Sequence, residues 1–210
     1  MILLTGFDPF GGDSDNPSWR VAQALEGQRI GGHTVVAAQL PTVFGASLAE
    51  LARLVRLHQP AIVLCLGQAG GRAAISIERI GINIDDARIP DNAGAQPVDT
   101  AVVPAGPAAY FSSLPVKAML RAVKHAGVPC EVSQTAGTFV CNHVLYGLLH
   151  LLEQHSALAL TRGGFVHVPW LPAQGTPHLA LRDMVRGVYE GLWAAALTGP
   201  DIRLAAGATH

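Results

Sequence analysis

Cys141 sits where a sulfur can be put to chemical use. It lies in Thr135-Ala-Gly-Thr-Phe-Val-Cys-Asn-His-Val-Leu-Tyr-Gly-Leu148, where turn residues give way to a helical pattern. Val144, Leu145, Leu148, Leu149 and Leu152 recur three and four positions apart, the signature of one apolar helix face. Cys141 therefore belongs to the first turn of a helix, where free N–H groups and the positive end of the helix dipole converge. That setting favours thiolate over thiol, and the thiolate is the attacking species. The same N–H groups can receive the oxyanion of an attacked carbonyl. Against this stands the ordinary behaviour of a free cysteine, which packs as a small apolar side chain. Position alone does not decide between the two.

A sulfur nucleophile needs a base that can also protonate a leaving amine, and histidine is the usual one. Nine histidines compete for the role. His143 follows Cys141 by two positions and points to another helix face. His150 and His155 lie further along that helix, and His33, His58, His125, His178 and His210 sit near element ends or in the tail. His167 differs, because it closes the apolar run Gly164-Phe-Val-His-Val-Pro169 at the carboxyl end of a strand. Open α/β sheets place their sites at that edge, and the turn before Cys141 is expected at the same edge. The alternative is a core histidine satisfied by a backbone carbonyl. Glu78, set among isoleucines in Ile75-Ser-Ile-Glu-Arg-Ile80, is the candidate to orient the imidazole. Acids rarely sit in apolar strands unless paired or used, so a salt bridge to Arg79 or Arg72 also explains it. Asp85 and Asp86 compete for the orienting role, although beside Arg88 in a loop they read as exposed.

The elements that must carry these groups follow from periodicity. Met1 to Thr5 reads as a buried strand, and Asn16-Pro17 as an N-cap with proline at the first helical position. A helix with Trp19, Val21, Ala22 and Leu25 ends near Gly27; Thr34 to Leu40 is a strand and Leu48 to His58 a helix. Ala61 to Leu66 is a continuous apolar run, as in a strand covered on both faces. This β-α-β-α-β order predicts a parallel sheet between helices. Ala74 to Ile84 alternates without an intervening helix, which predicts an antiparallel excursion or bulged ribbon. Residues 87–106 are too long and too rich in Pro, Gly, Asp and Asn for a mere connection, and form a candidate functional loop. A helix over 116–125, strands over 130–133 and 164–168, and a helix over about 179–197 complete the alternation. The chain is read as one α/β domain over 1–199, a three-layer α/β/α sandwich around a mostly parallel, partly mixed twisted sheet. Residues 200–210 read as a loose C-terminal tail.

Composition removes several function classes. A formal net charge of -1 with 14% charged residues offers no electrostatic footprint for nucleic acid or an anionic membrane. No apolar run is long enough to span a bilayer, and Met1 to Gly6 lacks the basic n-region of a signal peptide. Three cysteines at 65, 130 and 141 have no paired spacing, which predicts a reducing cytoplasm rather than a disulfide framework. With so few charges to cover it, the surface is expected to keep apolar patches that favour self-association. No H-E-x-x-H or C-x-x-C occurs, so no metal site is expected. Gly67-Gln-Ala-Gly-Gly-Arg72 could let a phosphate or substrate approach the backbone, yet it matches no nucleotide-binding pattern. Phe7 and Phe10, in Phe7-Asp-Pro-Phe10, bring two aromatics to the presumed site edge, as an apolar pocket or as packing under the loop.

Six ordered blocks resemble the type I pyroglutamyl peptidases, also called pyrrolidone-carboxyl peptidases: Thr5-Gly-Phe-Asp-Pro-Phe-Gly-Gly12, Gly67-Gln-Ala-Gly-Gly71, Glu78-Arg79 with Asn83, Ala87-Arg-Ile-Pro-Asp-Asn92, Ala136-Gly-Thr-Phe-Val-Cys-Asn142 and Phe165-Val-His-Val-Pro169. The likeness implies a cytoplasmic cysteine peptidase that removes an N-terminal pyroglutamyl residue from small peptides, on an α/β/α sandwich assembled as a homotetramer, without a cofactor. It implies Cys141 as nucleophile, His167 as base and Glu78 as orienting acid. Phe7 and Phe10 match the aromatics that hold the lactam ring, Gln68 and Arg88 match polar residues of the site, and Phe139 and Val140 are placed in the substrate site beside the thiol. Gly81 departs from the family's usual alanine. Two rival readings remain: a nucleoside- or phosphate-handling enzyme using the Gly67–Gly71 loop, and a catalytically silent binding protein of the same fold.

Overall fold

In a computed structural model, which describes residues 1–207, the chain alternates strand and helix as the periodicity predicts. The order is β1 (Ile2–Phe7), α1 (Pro17–Leu25), β2 (Arg29–Ile30), β3 (His33–Leu40), α2 (Ala46–His58) and β4 (Ile62–Gln68). There follow β5 (Ile75–Glu78), β6 (Ile80–Ile82), β7 (Ala109–Phe111), α3 (Val116–His125), β8 (Cys130–Ser133), α4 (Val140–Gln154), β9 (Arg162–Val168) and α5 (Leu181–Leu197). The start of α1 is fixed as its sequence dictates. The Asn16 side chain accepts from the Ser18 N–H, and Pro17 occupies the first turn, where its missing N–H costs nothing.

Seven strands form one sheet in the order β2-β3-β1-β4-β9-β5-β8. β3, β1, β4 and β9 are parallel. β5 and β8 are parallel to one another but antiparallel to that set, through the β5–β9 pairing. The sheet is thus mostly parallel and partly mixed. Strand alternation sends Ile2, Leu4, Ile62, Leu64, Leu66, Val166 and Val168 toward α1, α3 and α5. Leu3, Val63, Cys65 and Phe165 face α2 and α4. Both faces are therefore covered, and the continuous apolar character of β4 follows from that.

The ribbon predicted after Ala74 is resolved into two pieces. β5 joins the main sheet, whereas β6 leaves it and pairs antiparallel with β7. β2 and β7 span two and three residues, too short to leave a periodic pattern. Gly81 lets β6 lie close on α4: an added Cβ would stand 3.0 Å from the Tyr146 backbone nitrogen. Residues 83–108 contain no helix or strand but are tied down. Asp85 and Thr100 exchange backbone bonds of 2.7 and 3.0 Å, and Asp91 accepts the N–H groups of Phe44, Ala93 and Ala95.

The segment after Gly199, read as loose, makes specific bonds. Asp201 accepts the N–H groups of Lys117 at 2.9 Å and Ala118 at 3.0 Å, capping a helix whose own N-cap position is Pro115. Lys117 Nζ binds the Leu204 carbonyl at 2.7 Å and Arg79 binds that of Ala206. Residues 208–210 lie outside the described residues. Asp201→Ala is expected to cost about 1 kcal/mol, the usual value of a side-chain cap, measured as a drop in urea midpoint at unchanged m-value.

Candidate active site

The edge where β4 and β9 end gathers Cys141, His167 and Glu78. Gly67 on β4 and His167 on β9 are register partners. His167 alternates with Phe165, so it projects toward α4, with the two rings 4.9 Å apart between centroids. A Cβ built on Gly67 would lie 2.9 Å from Cys141 Sγ and 2.7 Å from Phe165 Cζ. The sulfur therefore rests over Gly67, beside the strand that bears His167, in space left free only because residue 67 has no side chain. Gly67→Ala should displace the sulfur or the Phe165 ring. A misplacement of that size costs about 10²-fold in kcat/KM, to be measured alongside the melting temperature so that lost activity is separated from lost fold.

Glu78 reaches His167 from the neighbouring strand. Its Oε1 accepts from His167 Nδ1 at 2.7 Å and from Arg72 Nη1 at 2.8 Å. Glu78 is fully buried and His167 nearly so. A carboxylate is an acceptor only, so Nδ1 carries the proton. Among the described residues the ring's hydrogen bonding is confined to Nδ1, which leaves Nε2 free to take a proton. The salt bridge to Arg72, weighed as an alternative to a role in orienting histidine, coexists with that role. Arg72 Nη2 also reaches the Thr135 carbonyl at 3.3 Å, tying the turn before α4 to the same carboxylate.

The route by which Cys141 arrives differs from the expected one. β8 runs opposite to β9, and its last residue, Ser133, is level with Glu78 and Phe165 rather than with His167. The turn over 134–139 must carry the chain back across β5 and β9 before α4 begins over β4. Gly137, at φ 79, and Gly137 N–H donating to Thr135 Oγ1 shape that turn. Phe139, the N-cap residue of α4, makes no side-chain cap bond, so no side chain claims the N–H groups of the first turn.

The electrostatics around the sulfur run against the pull of the helix terminus. Burial pushes the Cys141 thiol up to about 12, the Glu78 charge adds to the rise, and Arg72 opposes it. The residue keeps some exposure, but its sulfur lies against Gly67 and Phe165 in the packed interior. Cys65 and Cys130 are also raised to about 12, again first by burial. Burial thus favours the thiol at this position, against the pull expected from the helix terminus. What separates Cys141 from the other two is its neighbours, not its acidity.

A cavity of about 300 Å³ adjoins this edge, lined by Phe10, Asp86, Arg88, Ile89, Thr138 and Phe139. Phe10 and Phe139 face each other at 6.1 Å, and Phe44 packs edge-on to Phe139 at 5.3 Å. Of the residues expected in the substrate site, Phe10, Arg88 and Phe139 line this cavity. Phe7 and Val140 are buried core residues; Phe7 packs on Phe165 beneath the site. Gln68 donates to Asp13 at 2.9 Å and accepts from Gln174 at 3.0 Å, one residue out of step with Gly67 and so on the other side of the strand. Ile89 and Thr138 lie within the six ordered blocks but were given no role there, and Arg72 was weighed only as a salt-bridge partner of Glu78. In the Gly67–Gly71 loop, Gly67 makes room for Cys141 and Gly70 lies against Trp170, 2.3 Å from where a Cβ would stand, while Gly71 adopts a positive φ of 84°. Packing thus accounts for two of the three glycines that had suggested a phosphate-handling loop. Among the described residues there is no cluster of metal-ligating side chains.

The sequence profile described as pyroglutamyl peptidase matches residues 1–197. The chain belongs to the pyroglutamyl peptidase family. It is 54% identical to the pyrrolidone-carboxylate peptidases of Cupriavidus taiwanensis and of Streptomyces coelicolor, in each case over all of this chain and 99% of the relative. The crystal structure of pyroglutamyl peptidase I from Bacillus amyloliquefaciens superposes with a TM-score of 0.94 at 45% identity, covering 97% of this chain and 98% of that one. Pyrrolidone carboxyl peptidase from Thermococcus litoralis gives 0.92 at 33% identity, with the same coverage. As a pyroglutamyl peptidase the chain is a hydrolase of the pyroglutamyl-peptidase I type, and its sandwich is the fold of these relatives.

Proposed function

We propose that this pyroglutamyl peptidase cleaves the N-terminal pyroglutamyl residue from peptides through an acyl-enzyme on Cys141. One arrangement carries the reading: a sulfur over Gly67, beside an imidazole that a buried carboxylate holds with Nε2 free. Cys141 Sγ attacks the pyroglutamyl carbonyl as its proton passes to His167 Nε2, and the first-turn N–H groups of α4 receive the oxyanion. The C–N bond breaks when His167 returns that proton to the leaving amine. Water then attacks the thioester, giving its proton to His167, and free pyroglutamate leaves as Sγ is reprotonated. Burial raises the thiol, so in this reading proton removal belongs to the attack step.

The aromatic cavity supplies selectivity. Pyroglutamate is a neutral lactam without an α-ammonium, so it can enter between Phe10 and Phe139. An ordinary N-terminus would have to shed water from its charge there, at a cost of several kcal/mol. The same reading places the chain in the cytoplasm as a homotetramer, supported by three free thiols and by exposed Phe111, Leu160 and Leu197. The test compares hydrolysis of a pyroglutamyl-anilide with that of a glutaminyl-anilide, before and after iodoacetamide. Expected are a preference of at least about 10²-fold and its loss on alkylation; equal turnover of both anilides, or indifference to alkylation, sinks the reading.

A further inference from the structure

His143, set aside as a partner for the sulfur, has an assignment of its own. It is buried, 6% exposed, and projects away from Sγ on the same first turn. Its Nδ1 lies 2.8 Å from Asp85 Oδ2, and the Gly45 N–H donates to its Nε2 at 3.1 Å. A backbone N–H can only donate, so Nε2 accepts and Nδ1 bears the proton that Asp85 receives. The ring thus joins three elements: α4, the N-cap of α2 at Gly45, and the 83–108 segment at Asp85. Asp85, expected to be exposed, is buried, and among the described residues its Oδ1 has no partner. The side chain of Asp85 is held in place by His143.

Two of those elements line the cavity, the 83–108 segment through Asp86, Arg88 and Ile89 and the start of α4 through Phe139 with Thr138 before it, while Phe10 closes it from the loop after β1. Next to Asp85, Asp86 donates its N–H to the Thr138 carbonyl at 2.9 Å and accepts from Thr138 Oγ1 at 2.7 Å. Arg88 and Ile89 follow and line the cavity opposite Phe139. Next to Gly45, Phe44 meets His143 edge-on at 5.4 Å and Phe139 edge-on at 5.3 Å. The neighbouring Asn142 fixes the same segment by pairing with both backbone groups of Ile82 and with the Ile84 carbonyl. The 86–89 wall is therefore tied to the Phe139 wall twice, directly through Asp86 and Thr138 and again through Asn142 and His143 in the first turn of α4.

We propose that His143 and Asp85 are positioning residues that set the spacing of the acyl-side slot, and so its affinity for the lactam ring, without handling a proton of the reaction. The proposal rests on reading the Phe10–Phe139 cavity as the pyroglutamyl slot. In the full-length protein, His143→Ala is expected to raise KM for a pyroglutamyl-anilide about tenfold or more with kcat within about threefold, the pattern of lost uniform binding. Iodoacetamide should inactivate it at the wild-type rate without ligand, while protection by free pyroglutamate weakens as KM does. His143→Gln should restore KM, because its amide accepts from Gly45 and donates to Asp85 at once. If His143→Ala does not fold, His143→Leu keeps the volume and carries the same expectation. A fall in kcat at unchanged KM, no change in either constant, or equal loss in the alanine and glutamine variants overturns the proposal. Failure of the catalytic reading looks different: turnover would then be missing from the wild type or would survive loss of Cys141.

Discussion

Cys141→Ala is expected to abolish pyroglutamyl-anilide hydrolysis, lowering kcat by on the order of 10⁴-fold or more, as when a covalent nucleophile is removed. The argument does not depend on acidity, since burial raises Cys65, Cys130 and Cys141 alike to about 12. It depends on place. Only Cys141 has its sulfur over the register partner of His167. Cys65 lies deeper in β4, and Cys130 is in β8 on the other face of the sheet. Cys130→Ala and Cys65→Ala should therefore keep turnover while losing stability in proportion to the volume removed from the core. Activity in Cys141→Ala above the buffer rate, measured on protein whose circular dichroism matches the wild type, ends the mechanism.

His167→Ala is expected to lower kcat/KM by about 10³- to 10⁴-fold, and Glu78→Gln by about 10²- to 10⁴-fold. The glutamine is nearly isosteric but loses the charge that pairs with Arg72 and orients the ring. The sulfur's acidity adds a second signature. With the thiol raised to about 12, its thiolate fraction in His167→Ala grows about tenfold per pH unit below that value. The rate at which iodoacetamide labels Cys141 in this variant should climb steadily from pH 7 to 10. A plateau near neutrality would mean a sulfur already ionised by its helix terminus, and would remove the need for a base.

Most of the fold was legible because its main elements obey one period each. The helix over 116–125 and the strand over 130–133 were read at their observed bounds, and both layers of helices follow from apolar stripes. The direction of β5 and β8 was not legible, since a strand's side-chain pattern is the same read either way along the sheet. Cys141 and His167 were therefore expected together on the assumption of a shared carboxyl edge, whereas a returning turn brings them together. The substrate residues divide along a similar line. Phe10 and Phe139 stand at the cavity, but whether Phe7, Val140 or Gln68 faces it depends on the phase of a strand or helix against its neighbours. The pairing of His143 with Asp85 escaped notice because it spans 58 residues and no local pattern records it.

Sheet order has a further consequence for assembly. β9 is the last strand in the chain, yet it lies between β4 and β5 and is the sole strand joining β2-β3-β1-β4 to β5-β8. Without β9 the facing edges of β4 and β5 have no partner in this sheet order, and His167 is missing from between them. A polypeptide cut short before β9 thus holds Cys141 but lacks both His167 and the strand that joins the two halves of the sheet.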